Sequence, residues 1–499
     1  MENSYKENEK MRILELLLVL SCISLLVNVW FRKKISRNIR IATICFSLGI
    51  FVCQLIFEGY RWQMVFLYFL TFLLIIISFL RLKIKVRFIR GCCHFFAVLL
   101  IAVSIFLSLS FPVFNLPEVQ GPYKVGTQTF HFIDEKRVDP FSESEDGKRE
   151  LIVQVWYPAE NVNKRKRQYL IPQDKEILQK YKKAFAESLG VPSFMLDYWK
   201  YIKSNAYEDA RLIDTKTSLP VVLISHGGGT SRVLHTTQAE NLASNGFIAI
   251  AIDHPYFTAA TAFPDGTVTG FKAKDALTDF FGTSKKYGEV WMADLQFVLD
   301  NLEKINNGAI RSKFEGKLDL NNIGMMGHSF GGATAFNAVA TNERIKAGIN
   351  MDGTLYNMDS ISSSTKPFMF IQPEEFIVQK EEIEKNQVTN TSNMTEEEWN
   401  ELMNDKRKEF EVINQSLASR GVMMSIKGTK HYNFTDFQLF SNLLSLIGYT
   451  GSIDGKRGTE IINKYVVDFF SIHLQGIDGR LIYKQNANYP EVRFHSIEE

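Results

Sequence analysis

The sequence predicts an α/β protein, in which a mostly parallel β-sheet is flanked by helices, preceded by a region of four transmembrane helices. Three observations support this prediction. Four apolar segments lie within the first 114 residues. Short apolar runs typical of buried strands alternate with helical patterns through the rest of the chain, residues 115–499. One of these runs ends in Gly-His-Ser-Phe-Gly-Gly at 327–332, immediately before a helical pattern.

The charge of the chain is unevenly distributed, although its formal net charge is only +2. Residues 1–114 carry 14 Lys and Arg against 5 Asp and Glu, whereas the remainder carries 43 against 50. A basic, apolar front joined to a mildly acidic body does not suggest nucleic-acid binding. All 5 cysteines lie in the front, so the body has no disulfide framework, zinc–thiolate site or cysteine nucleophile.

The four apolar segments are each about as long as a helix that crosses a hydrocarbon core. One such segment alone could be a buried core helix or, for the first, a signal peptide. A series of four separated by short loops favours membrane helices. We expect Glu15 and Glu58 to lie near segment ends, where they can reach water. The predicted helices cover about 13–31, 41–57, 64–80 and 92–111.

The loops predict the orientation of these helices. Residues 32–40 and 81–90 each contain five Lys or Arg and no acidic residue. By the positive-inside rule both loops are cytoplasmic, so the N-terminus and everything after residue 111 face outward. We therefore expect an integral membrane protein of the plasma membrane, whose body is extracytoplasmic and whose helices act as an anchor.

The pattern of the body predicts alternating strands and helices, with one long charged insertion at about 374–416. Thr395 begins a capped helix within that insertion, which we expect near the mouth of the site. The predicted strands are 151–157, 220–225, 247–252, 322–326, 347–351, 367–371 and 422–426, and the main helices are 236–244, 288–304 and 460–473.

The Gly-His-Ser-Phe-Gly-Gly stretch has the strand–turn–helix context of a nucleophile elbow, the arrangement found in the α/β-hydrolase fold. In this context Ser329 is held on a strained turn with its hydroxyl exposed. Gly327 and Gly331 would remove side chains that collide where strand and helix cross, and Gly332 would let them pack closely. The alternative is a glycine-rich structural turn.

A serine nucleophile needs a base, and in this fold the base follows the serine along the chain. Three histidines follow the elbow. His473 lies in a helical pattern and His495 in a polar tail, so neither is expected to act. His431 follows a strand by a short loop, at the sheet edge where the other loops converge. We predict His431 as the base.

The acid that orients the base has two candidate positions. Asp352 ends the strand after the elbow helix and precedes a glycine, whereas Glu374 or Glu375 ends the next strand. Both strand ends are chemically plausible because a parallel sheet places these loops on one edge. We favour Asp352.

Two backbone amides are needed to stabilise the developing oxyanion. One is expected from Phe330, directly after the nucleophile. The other is expected from the His-Gly-Gly-Gly loop at 226–229, at Gly228. The alternative for this loop is a plain tight turn.

Three stretches together resemble the plasma-type platelet-activating factor acetylhydrolases. They are 327–334 (Gly-His-Ser-Phe-Gly-Gly-Ala-Thr), 225–228 (Ser-His-Gly-Gly) and 427–437 (Lys-Gly-Thr-Lys-His-Tyr-Asn-Phe-Thr-Asp-Phe). The similarity covers about residues 120–475. It implies an α/β-hydrolase, a calcium-independent phospholipase acting on short or oxidised acyl chains.

The same resemblance implies that the catalytic triad consists of Ser329, Asp352 and His431. It also implies that the oxyanion hole is formed by the amides of Gly228 and Phe330. The chain departs from the family at Gly228, where a larger apolar residue is common, in its expanded 374–416 stretch and in its membrane helices.

These observations predict a membrane-anchored serine carboxylic ester hydrolase acting on a lipid or other small hydrophobic ester, requiring no metal or cofactor. One alternative is a serine peptidase of the prolyl-oligopeptidase type, although no repeat supports a propeller domain. Another is a catalytically inactive membrane sensor or assembly protein. No protein partner is predicted.

Overall fold

The computed structural model describes residues 11–31, 34–80, 86–142, 147–160, 162, 165–275, 280–361, 363–385, 387–390 and 394–495. The N-terminal tail and the predicted cytoplasmic loop residues 32–33 and 81–85 lie outside the described residues. The chain divides into two compact units. The helical unit comprises Met1–Asn115, Phe194–Ile202 and Phe440–Leu443, and the sheet unit comprises Leu116–Ser193, Lys203–Leu439 and Leu444–Glu499.

Each of the four apolar segments forms a helix that is long and apolar enough to cross a membrane. The second and fourth helices begin several residues earlier than predicted, because their basic residues form the first turns. The bounds are α1 (Ile13–Trp30), α2 (Arg37–Cys53, continued by a π-helical turn at Gln54–Glu58), α3 (Val65–Leu80, preceded by a 3₁₀ turn at Trp62–Met64) and α4 (Arg87–Ser110).

The helical unit exposes large apolar side chains on its outer surface and buries one pair of opposite charges. Phe57 is 77% exposed and Phe88 81% exposed, as expected for groups that face lipid. The expectation that Glu15 reaches water is wrong: its side chain is fully buried against the guanidinium group of Arg61. Pairing with a buried cation removes the need for solvent.

Two short segments from later in the chain belong to this unit. The indole Nε1 of Trp62 donates to the carbonyl oxygen of Met195 at 3.3 Å, and the hydroxyl of Tyr198 donates to that of Phe440 at 3.0 Å. The rings of Trp199 and Phe440 pack with centroids 4.5 Å apart. These segments are therefore integral to the core of the helical unit.

The sheet unit is built on a twelve-stranded sheet, in the order β14-β13-β12-β11-β10-β6-β7-β2-β1-β4-β3, with β5 paired to β2. The six strands from β13 to β7 are parallel, whereas β14 and β2 pair antiparallel at either side. The strands of this sheet are β1 (Lys124–Val138), β2 (Lys148–Glu160), β3 (Arg167–Tyr169), β4 (Lys203–Glu208), β5 (Arg211–Leu212), β6 (Leu219–Ser225), β7 (Ile248–Asp253), β10 (Leu318–His328), β11 (Ile345–Met351), β12 (Phe368–Pro373), β13 (Gly421–Ile426) and β14 (Val492–His495). The two remaining strands, β8 (Ala260–Ala262) and β9 (Val268–Gly270), form a separate two-stranded sheet.

Helices cover both faces of the sheet, as the continuous apolar runs of the central strands predict. Two separate hydrophobic cores result, one with Leu299 and Phe336 and the other with Leu242 and Phe469. The helices are α5 (Lys175–Leu189), α6 (Thr236–Ser244), α7 (Phe280–Asn306), α8 (Phe330–Thr341), α9 (Glu374–Glu384), α10 (Glu396–Ser419) and α11 (Gly455–Gln475).

The insertion and the C-terminal tail acquire more order than the sequence indicates. The charged stretch after β12 forms two helices, α9 and α10, and Thr395 makes the predicted capping box with Glu398. The expectation of a polar tail around His495 is wrong, because this residue lies in β14 at the sheet edge. Four residues are too few to carry a recognisable alternating pattern.

Candidate active site

The predicted site residues all follow strands at the carboxyl edge of the parallel sheet. Ser329 follows β10, Asp352 follows β11 and His431 lies five residues beyond β13. The His-Gly-Gly-Gly loop follows β6, the other neighbour of β10. Parallel strands bring these loops to a single edge, the usual place for ligands in such sheets.

Ser329 has the strained backbone expected of an elbow, with φ 53° and ψ −125°. Its amide donates to the carbonyl oxygen of Met351 at 2.9 Å. A Cβ on Gly327 would lie 2.2 Å from the carbonyl carbon of Gly331, and one on Gly331 would lie 2.3 Å from the carbonyl oxygen of Ser225. The glycines are therefore required by the close crossing of strand and helix.

Asp352 and His431 are hydrogen-bonded, with Oδ2 and Nδ1 2.7 Å apart. Asp352 also has a positive φ of 52°, which places its carboxylate beyond the end of β11. The side chain of Asn350 stabilises this turn by accepting from the amide of Gly353 at 2.7 Å and donating to its carbonyl oxygen at 2.8 Å. The aspartate is thus held rigidly by backbone and side-chain contacts.

The alternative acids lie elsewhere on the same edge. Glu374 and Glu375 form the first turn of α9 rather than a loop. The carboxylate of Glu375 is 3.7 Å from the Lys430 ammonium, and that of Glu374 is 4.0 Å from the Arg493 guanidinium. Of the three candidates, the structure brings Asp352 to the imidazole of His431.

The loop after β6 has a well-defined peptide orientation. The carbonyl oxygen of Gly227 is 2.7 Å from Nδ1 of His226, and it accepts from the hydroxyl and amide of Thr230 at 2.8 and 3.1 Å. In a trans peptide the N–H points opposite to the carbonyl. The amide of Gly228 therefore points away from this cluster of donors. Within the part of the chain that the structure describes, no heavy atom outside Gly227–Gly229 lies within 4 Å of a Cβ built on Gly228.

A buried polar chain lies behind this loop. His254 Nδ1 is 2.9 Å from Asp294 and its Nε2 is 3.1 Å from the Ser225 hydroxyl, while its backbone amide donates to Nε2 of His226. Arg149 contacts Asp294 at 2.6 Å. Burial raises the pKa of Asp294, but Arg149 and His254 outweigh it and hold that pKa below its usual range. This carboxylate stays ionised and fixes the imidazole of His254.

A cavity of about 650 Å³ opens beside the imidazole of His431 and the carboxylate of Asp352. The insertion supplies one wall of this cavity, and its position at the mouth of the active site stays a prediction. That wall carries three carboxylates and one ammonium group, and it comprises Glu374, Glu375, Phe376, Val378, Gln379, Glu382 and Lys406.

The other two histidines after the elbow are structural neighbours of the sheet. His473 lies in α11, where its ring packs on Phe469 with centroids 4.7 Å apart. Nε2 of His495 is 2.8 Å from the hydroxyl of Ser425.

Comparison with known proteins agrees with this architecture. Residues 109–269 and 294–485 match the family model for platelet-activating factor acetylhydrolase, isoform II. The chain belongs to this family.

Two curated relatives carry corresponding names. A probable 1-alkyl-2-acetylglycerophosphocholine esterase of Arthroderma benhamiae is 28% identical over 293 residues, which is 55% of this chain and 66% of that protein. The platelet-activating factor acetylhydrolase of Cavia porcellus is 25% identical over 396 residues, covering 74% of this chain and 80% of that protein. Both names describe carboxylic ester hydrolases.

A solved structure supports the fold. The ferulic acid esterase from Streptomyces cinnamoneus superimposes with a TM-score of 0.56 at 22% identity, covering 77% of this chain and 99% of that one. The prediction of an α/β-hydrolase fold is confirmed. The match to the acetylhydrolase family begins at residue 109, so the first three apolar helices and most of α4 precede it.

Sequence reasoning missed several residues that shape the site. Asn350 could have been suspected from its position three residues before Gly353. His254 follows a strand at the correct edge, but its partner Asp294 lies in α7, 40 residues later. The contact of His328 with His431 spans 103 residues and has no local signal.

Proposed function

We propose that the protein is a membrane-anchored serine ester hydrolase that cleaves short-chain or oxidised acyl esters of lipids through an acyl-enzyme. The observation that carries the proposal is the 2.7 Å bond between Asp352 and His431 at the sheet edge that also bears Ser329 on its strained turn. Membership of the acetylhydrolase family and the names of the relatives support the choice of ester.

In the proposed mechanism the Ser329 hydroxyl oxygen attacks the ester carbonyl carbon while Nε2 of His431 takes its proton. Asp352 accepts a hydrogen bond from Nδ1 and stabilises the imidazolium. The amides of Gly228 and Phe330 donate to the oxyanion of the tetrahedral intermediate. Collapse of this intermediate expels the alcohol, which takes the proton from His431, and leaves the acyl group on Ser329.

Water completes the cycle. His431 removes a proton from the water molecule that attacks the acyl carbon, a second tetrahedral intermediate forms, and its collapse releases the carboxylic acid and restores the serine hydroxyl. The orientation of the Gly227 carbonyl supports the role of the Gly228 amide, since that amide points away from the donors around His226.

The helical unit supports the membrane part of the proposal. Four apolar helices of spanning length would hold the enzyme at a bilayer, where lipid esters are concentrated. We propose the plasma membrane as its location, and the charge of the loops supports an orientation with the sheet unit outside the cytoplasm.

Hydrolysis of aryl esters of increasing acyl length by the detergent-solubilised full chain tests the proposal, with Ser329→Ala as the matched variant. We expect fast cleavage of acetyl and propionyl esters, falling with chain length, and a loss of about 10⁴-fold or more in kcat in the variant. Folded wild-type protein that cleaves no ester, or a variant that keeps its activity, would refute the proposal. Cleavage of dipeptide anilides instead of esters would favour the peptidase alternative.

A further inference from the structure

His328 directly links the strand of the proposed nucleophile to the loop of the proposed base. It is the last residue of β10, immediately before Ser329, and its side chain is fully buried. Its Nε2 atom lies 2.9 Å from the carbonyl oxygen of His431, and the two imidazole rings lie 4.4 Å apart. The contact therefore joins the backbone of His431 to the residue that precedes Ser329.

The protonation of His328 follows from this geometry. A carbonyl oxygen can only accept a hydrogen bond, so Nε2 carries the proton and donates it. Burial, together with the imidazoles of His431 and His235, holds the pKa of His328 well below its usual value, so the ring stays neutral. Nδ1 has no hydrogen-bond partner among the described residues, which leaves the bond to His431 as the polar contact of this ring.

Sheet order explains why such a link is useful. β13, which precedes His431, is separated from β10 by β12 and β11, so the two strands lie roughly 14 Å apart. The chain from Ile426 to His431 turns directly after β13, where the carbonyl oxygen of Ile426 accepts from the amide and hydroxyl of Thr429 at 3.3 and 2.7 Å. A small backbone shift in this loop would move the imidazole relative to Ser329.

The hydrogen bond to Asp352 fixes His431 at one atom only. A ring held at Nδ1 alone can pivot about that contact, whereas a second attachment at the backbone removes this freedom. We propose that His328 is a positioning residue that fixes the backbone of His431, so that its imidazole is held beside Ser329. This inference rests on the proposed roles of Ser329 and His431.

Two substitutions of similar volume separate this role from simple packing. In the full chain His328→Leu removes the donor, whereas His328→Gln keeps an N–H at about the position of Nε2. We expect His328→Leu to lower kcat on a short aryl ester by about 30- to 100-fold with KM changed less than about 3-fold, because displacement of a catalytic group by about 1 Å has effects of this size. We expect His328→Gln to retain at least about a third of wild-type kcat.

His235 offers a matched control. It is also fully buried, its ring lies 6.0 Å from that of His328, and its Nδ1 atom contacts the side chain of Gln238 at 2.7 Å rather than the backbone of His431. We expect His235→Leu to reduce kcat by less than about 5-fold when rates are referred to folded protein.

Equal losses in His328→Leu and His235→Leu, or equal losses in His328→Leu and His328→Gln, would overturn the inference. If His328→Leu does not fold, His328→Asn replaces it in the comparison. The amide nitrogen of this asparagine reaches the place of Nδ1 rather than that of Nε2. A folded His328→Asn variant that is as active as His328→Gln would therefore also overturn the inference. Ser329→Ala in the same assay separates failure of the proposed function from failure of the role proposed for His328. Activity that survives Ser329→Ala refutes the proposed function, whereas its loss beside a fully active His328→Leu refutes only the role of His328.

Discussion

The helical unit and the sheet unit each place a carboxylate against a basic side chain, and the two pairs differ in how completely they are enclosed. Glu15 is fully buried, and Nη1 of Arg61 lies 3.0 Å from both of its oxygens. Arg61 also donates through Nε to Gln63 and through Nη2 to the carbonyl oxygen of Phe111. Arg12 supplies three further bonds to Glu15, two from its guanidinium group and one from its backbone amide. Every polar group of this pair is occupied.

The pair of Asp352 and His431 is only partly enclosed. The Asp352 side chain is 15% exposed and the His431 ring 42% exposed, beside a cavity. One ring nitrogen is held by the carboxylate, while the other side of the ring faces the space where a substrate can bind. A saturated ion pair holds structure together, whereas a pair that keeps one nitrogen available can move a proton.

The largest expected effect comes from breaking the partly exposed pair of Asp352 and His431. Asp352→Asn should lower kcat on short aryl esters by about 10⁴-fold, because an amide favours the wrong tautomer of His431. Glu374→Gln and Glu375→Gln are the matched controls and should stay within about 3-fold of wild type. Steady-state kinetics of the three purified variants checks this, and a larger loss in either glutamate variant than in Asp352→Asn would reverse the assignment.

Breaking the buried pair of Glu15 and Arg61 should lower the stability of the protein and leave its catalytic rate nearly unchanged. Arg61→Leu removes the fully buried cation beside Glu15 and leaves Arg12 as its remaining partner, which should destabilise the helical unit by up to about 3–5 kcal/mol. Thermal unfolding in detergent should show a lower Tm, while kcat per folded molecule remains within about 3-fold of wild type. The double variant Glu15→Leu/Arg61→Leu should recover part of the Tm. Reduced kcat at an unchanged Tm would contradict this division between structure and chemistry.

A third carboxyl group sharpens the comparison because it is buried in the sheet unit beside hydrogen-bond donors rather than a cation. Asp436 accepts from the amide of Thr237 at 2.9 Å and contacts its hydroxyl. Burial raises the pKa of Asp436 to about 7. The unfolded chain therefore ionises first, and the stabilising effect of the protonated form is lost as pH rises from about 4 to about 7.

Asp436→Asn should remove this dependence, since an amide resembles the protonated acid. Relative to that of the variant, the free energy of unfolding of the wild type should fall by up to about 1.4 kcal/mol per pH unit across that window. Unfolding of both proteins followed from pH 4 to pH 8 measures the difference. A difference that does not change with pH would show that Asp436 is ionised in the folded protein.

The smallest effect is expected from carboxylates that face solvent. Glu374, Glu375 and Glu382 line the cavity beside His431 and should repel acyl chains that end in a carboxylate. Replacing all three by Gln should raise kcat/KM for an aryl ester with a terminal carboxylate by about 3-fold at low ionic strength, and less in salt. The neutral ester of equal length serves as the control. Equal changes for both esters would rule out an electrostatic origin.

The sequence by itself determined the elements whose signals are local. Four apolar segments predicted four helices of spanning length, and the glycines at 327 and 331 with a strand before and a helix after predicted the turn at Ser329. Helix α6 was predicted with its observed bounds, Thr236–Ser244. These features depend on neighbours within a few residues.

Tertiary structure alone decided which distant groups meet. The sequence favoured Asp352 but left Glu374 and Glu375 at the same sheet edge, and the contact of Asp352 with His431 depends on where the loop after β13 crosses that edge. The pairing of Glu15 with Arg61 depends on helix packing, so the sequence indicated exposure where the structure shows burial. Contacts such as that between His328 and His431 join residues 103 positions apart. No local pattern encodes them, because the strand order of the sheet, and not the spacing along the chain, sets the distance between their backbones.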